Sequence, residues 1–382
     1  VGFAWKFLWF HEICQGFGNE STVASMKIWH LISNRWNSAI SEYAISAARA
    51  TMAMGADIVV TPLAGSPVEQ RILALGMKSG SIEHFGPAKI PQLSAAARKI
   101  NPDMIITYGG PETTAAHFFK GRSRLIRFYG YQVGDFGPMA SLAKKMGHLR
   151  VDQMITPADI ITKALEAVMS CPVNTVVLGC DENLFKPIDL IREDRPSLMI
   201  FGRLDPVKGH REFLPIFAHI LRTWPEQHKL PKLKIVGLPA NLSATHVINA
   251  AQAMSLPADS LEIICERVAD VAQTLSSATV GVVSSLGSEA ICRVAEEFLL
   301  CGTPVVTTTA GALPELFKHQ NFGQVYSSED VAAAASQISK ILQASSLETF
   351  AVRCERARMA RDDFSLEAMT KSLKIVMSRL DS

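Results

Sequence analysis

The chain has almost no charge imbalance. Lysine and arginine number 38 against 36 aspartates and glutamates, a net charge of +2. Nothing in that balance calls for nucleic acid. No apolar run reaches the roughly 20 residues that a membrane-spanning helix needs. The seven cysteines, at positions 14, 171, 180, 265, 292, 301 and 354, include no C-x-x-C pair. Their odd number argues against a disulfide framework, and a reducing cytoplasm is the simplest compartment. Catalytic signatures are also missing. Gly16-Phe17-Gly18 lacks a third glycine, His11-Glu12 lacks a second histidine at the zincin spacing, and no G-x-S-x-G elbow occurs. The ten histidines are dispersed. His30, within an apolar run, reads as a core or rim residue. No protein-bound metal and no cofactor are expected.

What the chain does have is apolar mass. Apolar residues make up 48% and charged residues 19% of 382 positions, enough for two ordinary domains. Short apolar runs at 27–32, 56–61, 103–108, 125–129, 152–156 and 174–178 read as strands, with an alanine-rich helix at 41–54. The cycle restarts with runs at 197–201, 232–237, 261–265, 279–283 and 303–307. Such runs with helical spacers imply parallel sheets covered on both faces. The expected fold is therefore α/β, with two Rossmann-like doubly wound domains, 26–188 and 189–363, facing a central cleft. Positions 347–380 read as helix, broken near 361–365, where Ser365 suits a cap. Residues 1–25 carry Phe3, Trp5, Phe7, Leu8, Trp9 and Phe10. They read as an extension outside the fold, with Met26 as its first residue. The alternative is an aromatic anchor at a membrane interface.

Two segments carry candidate chemistry. In 201–209, Gly202 permits a sharp turn out of a strand, and Arg203 and Lys208 suit phosphate oxygens. The segment is not a P-loop, because Lys208 is followed by Gly209-His210. In 284–316, Glu289 and Glu297 lie eight residues apart. Eight helical steps would separate them by roughly 12 Å and about 80° around the axis. Glu289 is therefore placed before the helix and Glu297 inside it, both turned to the cleft. The backbone N–H groups of Ala290, Ile291 and Cys292 would then face an anion. Carboxylates accept from vicinal hydroxyls. The plain alternative is an exposed helix laced by Glu289–Arg293 and Arg293–Glu297 pairs. Glu296 is expected to face solvent. Both segments begin at strand ends, where ligands of open parallel sheets bind. Cations for a diphosphate and acids for hydroxyls are what a nucleotide-sugar site needs.

These residues resemble the retaining, family-4 type glycosyltransferases of the GT-B fold. The likeness rests on Gly202-Arg203-Leu204 with Lys208-Gly209, on Glu289 with Glu297, and on Cys301-Gly302-Thr303-Pro304-Val305-Val306 followed by Leu313-Pro314-Glu315. Weaker likenesses at Met26-Lys27-Ile28, 178–187 and Phe364-Ser365-Leu366-Glu367 extend it from Met26 to near the end. The resemblance implies a nucleotide-diphosphate sugar donor held by Gly202, Arg203, Lys208, Glu289, Ala290, Ile291, Cys292 and Glu297. Arg203 and Lys208 would hold the diphosphate, Glu297 the ribose and Glu289 the transferred sugar, so that Arg203, Lys208 and Glu289 carry the transfer. The loop 309–313 would close over the donor, and the last helix, within 364–382, would cross back to the first domain. No metal would be needed.

The acceptor side departs from the family. Arg35-Trp36-Asn37-Ser38 stands where two glycines are usual, and Tyr129 or Tyr131 where a histidine is usual. Arg35, Asn37, Ser38 and Tyr129 are the acceptor-side candidates, and the acceptor expected is a glycan or lipid-linked molecule in cell-surface polysaccharide or lipopolysaccharide synthesis. The span 120–150 carries Lys120, Arg122, Arg124, Arg127, Lys144, Lys145 and Arg150 against Asp135 alone. It could meet an anionic membrane surface, making the protein cytoplasmic and peripheral, or be solvated surface. Two other readings stay open: a nucleotide-sugar epimerase or hydrolase, and a non-catalytic binding relative.

Overall fold

The computed structural model describes residues 26–131, 151–190, 195–287 and 289–379. The chain builds two six-stranded parallel sheets. The first takes the order β2-β1-β3-β4-β5-β6. Its strands are β1 (Lys27–Ile32), β2 (Asp57–Pro62), β3 (Met104–Thr107), β4 (Arg124–Phe128), β5 (Gln153–Thr156) and β6 (Val173–Thr175). The second takes the order β12-β11-β10-β7-β8-β9. Its strands are β7 (Ser197–Phe201), β8 (Lys232–Val236), β9 (Leu261–Ile264), β10 (Val280–Val283), β11 (Val305–Thr307) and β12 (Gly323–Val325). The central strands are buried along nearly their whole length. That is why they appear in the sequence as unbroken apolar runs rather than as alternation.

Most expected strands stand within a residue or two of their places. The run 174–178 is an exception. Only Val173–Thr175 pairs, and Val176 N–H makes a last bond to Thr156 O at 2.8 Å. Its neighbour β5 stops at Thr156 because Pro157 follows, and a proline cannot donate to the ladder. The edge strand β12 has no apolar run to announce it. Arg127, counted among the surface cations, is 4% exposed. It lies on β4, and its guanidinium donates to Thr113 Oγ1. Lys120 pairs with Asp152 at 2.8 Å and Arg124 approaches the same acid at 4.0 Å, so the expected basic face is smaller than its composition suggested. Lys144, Lys145 and Arg150 lie outside the described residues, as do residues 1–25.

The C-terminal helix pair breaks at Ser365, which ends Phe350–Phe364 and whose side chain caps Leu366–Ser378 by accepting from Ala368 N–H. The last helix packs on the first, Ala39–Ala53. It inserts Met369, Leu373, Val376 and Met377 into the core shared with the first domain. Backbone bonds Cys180 N–H to Phe364 O and Leu366 N–H to Cys180 O, both 2.9 Å, pin the crossing.

Strand order places the functional region. In the second sheet the order reverses between β7 and β10, which pair through Val280↔Leu198 and Gly281↔Met199. Chains leaving these two strands diverge, and a crevice opens beyond their carboxyl ends. The segments after β7 and β10 are the two singled out in the sequence. In the first sheet the reversal falls between β1 and β3, so the loop after β1 faces the same gap.

Candidate functional site

A cavity of about 510 Å³ fills that gap. The second domain contributes Gly202, Arg203, Lys208, His210, Ser285, Glu289 and the stretch Ala290–Ala295. The first domain contributes Asn37, Ser38, Ala39, Ile40 and Gly130.

Close backbone contact brings the two second-domain segments together. Leu286 N–H donates to Val207 O at 2.8 Å, and Ser284 Oγ to Lys208 O at 2.8 Å. This contact requires a glycine. Gly209 has φ +68°, and a Cβ there would sit 2.0 Å from Ser284 O. Gly237 does the same at the end of β8, where a Cβ would lie 1.9 Å from Gly202 O. Side chains follow the backbone: Lys208 Nζ meets Glu289 Oε1 at 2.5 Å. Ser285 Oγ, itself 1% exposed, donates to the same oxygen at 2.5 Å.

Arg203 stands differently. Its side chain is 64% exposed, with Nε 3.7 Å from Asp205 Oδ2, so the guanidinium is free to meet a ligand. Its carbonyl accepts from Nε2 of His210 at 3.0 Å. Burial holds His210 below the ordinary histidine value, and its Nδ1 has no partner among the described residues. His210 is a residue that sequence reasoning passed over, as is Ser285. The only signal for either was its place beside a candidate at a strand end.

The helix that follows Glu289 runs Arg293–Leu300 and has no side-chain cap among the described residues. Among the described residues, no partner stands for the N–H groups of Ala290, Ile291 or Cys292. These side chains are buried, and burial raises the Cys292 thiol well above its usual value. What this turn offers the cavity is backbone dipole, not thiolate.

The structure does not bring Glu297 to the cavity with Glu289. Glu297 is 2% exposed, and its Oε1 takes Arg293 Nε at 2.7 Å. Arg293 reaches Glu42 on the first helix at 3.3 Å, and Glu42 is gripped by both terminal nitrogens of Arg71. Glu297 lines a neighbouring cavity of about 310 Å³ with Arg49, Arg71 and Asp181. The expectation that both acids turn to one cleft is corrected by helix phase. The helix starts four residues after Glu289, so its 293/297 stripe faces the first domain. Burial raises the Glu297 carboxyl, and Arg293 counters that rise.

Glu296, expected in solvent, is 3% exposed. It lies between the domains beside Cys180 Sγ at 3.8 Å. Burial, reinforced by Glu297, pushes its carboxyl up to about 8. Of the acceptor-side candidates, Asn37 and Ser38 line the cavity. Ser38 is committed to capping the first helix. Arg35 is exposed outside the cavity lining. Tyr129 is 4% exposed and packs edge-on to Tyr131, leaving Gly130 to face the cavity. His30 is fully buried between Tyr108 Oη at 2.8 Å and Thr51 Oγ1 at 3.0 Å, the core role its sequence suggested. Burial lowers it to about 3. The six described cysteines are free thiols. Among the described residues, no helix is long and apolar enough to cross a membrane.

Comparison with known proteins accords with this geometry. Residues 195–344 match the family described as glycosyl transferases group 1. That span holds β7 to β12 and both segments. The D-inositol 3-phosphate glycosyltransferase of Acidothermus cellulolyticus is 29% identical over 181 residues, 44% of this chain and 40% of that protein. The chain spans 33–43% of the length of the curated relatives it matches. Anabaena HepE, solved in complex with UDP, superposes with a TM-score of 0.77 over 93% of this chain and 100% of that one, at 17% identity. A glycosyltransferase from Rickettsia africae ESF-5 superposes with a TM-score of 0.78 over 93% and 98%, at 12% identity. At such identities the likeness establishes the fold, the two-domain GT-B architecture.

Proposed function

We propose that this chain, a group 1 glycosyltransferase by its second domain and a GT-B protein by its whole fold, transfers a sugar from a nucleoside-diphosphate sugar to a hydroxyl acceptor with retention of configuration. The carrying observation is the convergence of Arg203, Lys208 and Glu289 on one interdomain cavity of about 510 Å³. Arg203 and Lys208 neutralise the diphosphate, aided by the open N–H groups of Ala290, Ile291 and Cys292. Glu289 accepts from sugar hydroxyls. Breaking the bond between the anomeric carbon and phosphate oxygen places negative charge on the departing diphosphate. Two cations at the cavity wall bind that charge more tightly than they bind the ground state, which lowers the barrier. The acceptor oxygen attacks from the departing face, and its proton passes to the diphosphate. Two cations in place of a metal ion make the transfer metal-independent in this reading.

The donor is the first thing to test. HepE has been solved with UDP-glucose, which makes uridine diphosphate sugars the first probes. Calorimetry should show UDP and a UDP-sugar binding to the wild type, with binding weakened by Lys208→Ala. No binding of any nucleoside diphosphate across a panel of bases would sink the proposal. The acceptor in this reading is a glycan or lipid-linked molecule at the cytoplasmic face of the membrane, for cell-surface polysaccharide. It enters past Asn37 and Ser38, with Arg35 and Tyr129 outside the cavity lining. Transfer of labelled sugar to a lipid extract tests it, and binding to anionic vesicles tests peripheral attachment.

The acceptor side favours one second reading, a nucleotide-sugar-binding relative that does not transfer, because Ser38 is committed to a helix cap and Tyr129 is buried. In that case donor binds, but neither transfer nor release of free sugar follows with any extract.

A further inference from the structure

Glu315 belongs to the segment Leu313-Pro314-Glu315 and has no part in the chemistry above. Its carboxylate leaves the second domain altogether. Oε2 accepts from Asp159 N–H at 2.7 Å and Oε1 from Ile160 N–H at 2.6 Å. These are the first two amides of the first-domain helix Asp159–Glu166, whose N-cap residue, Ala158, supplies no side-chain bond. The cap therefore comes from the other domain, and it carries the charge that a helix start favours. Asp159's own carboxylate is turned aside to Thr175 Oγ1.

The other end of the connection is Glu289. Its carbonyl accepts from Ala312 N–H at 2.8 Å, and Ala312 O accepts from Glu315 N–H at 3.0 Å. Three consecutive hydrogen-bonded links thus run from Glu289 through one short 3-10 turn, Leu313–Leu316, to the first domain. Glu289 stands in the second domain, yet the cavity it lines is completed by Asn37 and Gly130 of the first. The position of one half against the other decides whether the reacting groups meet.

We propose that Glu315 is a positioning residue, an interdomain clasp that fixes the Glu289 loop against the first domain. The kinetic half of this inference rests on the transfer reading above; the structural half does not. A local cap would affect only the amides it touches, whereas a clasp also orders the loop behind it.

Hydrogen exchange on the full chain separates the two. In Glu315→Ala, exchange at Asp159 and Ile160 should rise about tenfold, the scale of a lost cap. Exchange across 309–313, Ala312 included, should rise with it. Glu315→Gln keeps one acceptor oxygen and should restore part of both. Unchanged exchange at 159–160 shows no clasp, and a rise there with none across 309–313 leaves only a local cap; either overturns the proposal. Melting temperature identifies a variant that has merely unfolded, and then Glu315→Gln decides. With UDP-glucose as probe, kcat for UDP release should fall about tenfold in Glu315→Ala with KM changed much less. A wild type that neither binds nor cleaves UDP-glucose counts against the function reading and leaves the exchange result to judge the clasp.

Discussion

Lys208 Nζ lies 2.5 Å from Glu289 Oε1 although the residues stand 81 positions apart. Each is the counter-ion of the other, and both line the cavity between the domains. A ligand that takes Lys208 must therefore offer negative charge. A ligand that takes Glu289 must offer donors. A sugar diphosphate offers both.

Lys208→Ala should lower the rate of sugar transfer about a hundredfold, as for loss of one charge-stabilising donor. Steady-state UDP release from a bound UDP-sugar measures it. Unchanged turnover would remove Lys208 from the chemistry. The variant also leaves Glu289, with a side chain only 7% exposed, without its cation, so a lower melting temperature should accompany the loss.

Gly209→Ala should disturb the site without touching a charged group. The added Cβ would meet Ser284 O at 2.0 Å in a left-handed conformation. The contact between the 206–209 turn and the 284–286 segment must then open, at a cost of about 2 kcal/mol or more. Urea unfolding and UDP affinity should both worsen. Wild-type behaviour in both would show that the close approach is dispensable.

Glu296 makes stability depend on pH. Its folded carboxyl titrates near 8, against an ordinary value of 4.5. The folded state therefore holds an extra proton between those values. Its contribution to stability is complete below pH 4.5 and is lost as pH rises through 8. Glu296→Gln should flatten that decline and stabilise the protein at pH 8 by on the order of a few kcal/mol. Denaturation midpoints from pH 5 to 8.5 test this; equal slopes in variant and wild type would contradict it.

Arg293→Ala should destabilise by about 3 kcal/mol, because it strips the cation from the buried Glu297 and from Glu42. The double variant with Glu297→Gln should be less destabilised than Arg293→Ala alone, since the stranded carboxylate is gone. A purely additive result would mean that the pair does not interact.

Much of the fold was legible along the chain, for a physical reason. Strands buried on both faces must be apolar throughout, so 27–32 and 197–201 announced themselves. Ser365 was legible as a cap because hydroxyl side chains satisfy a helix start locally. The edge strand Gly323–Val325 was not, since it needs no apolar run. Arg127 and Glu296 were read by their charge as surface residues, yet both are buried. Charge states a preference for water, but tertiary packing decides whether water is there.

The sequence by itself determined two parallel α/β sheets and the candidate groups Arg203, Lys208 and Glu289. Apolar runs, turn glycines and strand-end positions are local properties. Only the tertiary structure decided which groups meet. Strand order set β7 beside β10 and so joined Lys208 to Glu289. Helix phase turned Glu297 away to Arg293, and domain contact carried Glu315 to Ile160. Those outcomes depend on the relative placement of elements far apart in the chain, which spacing along the sequence does not encode.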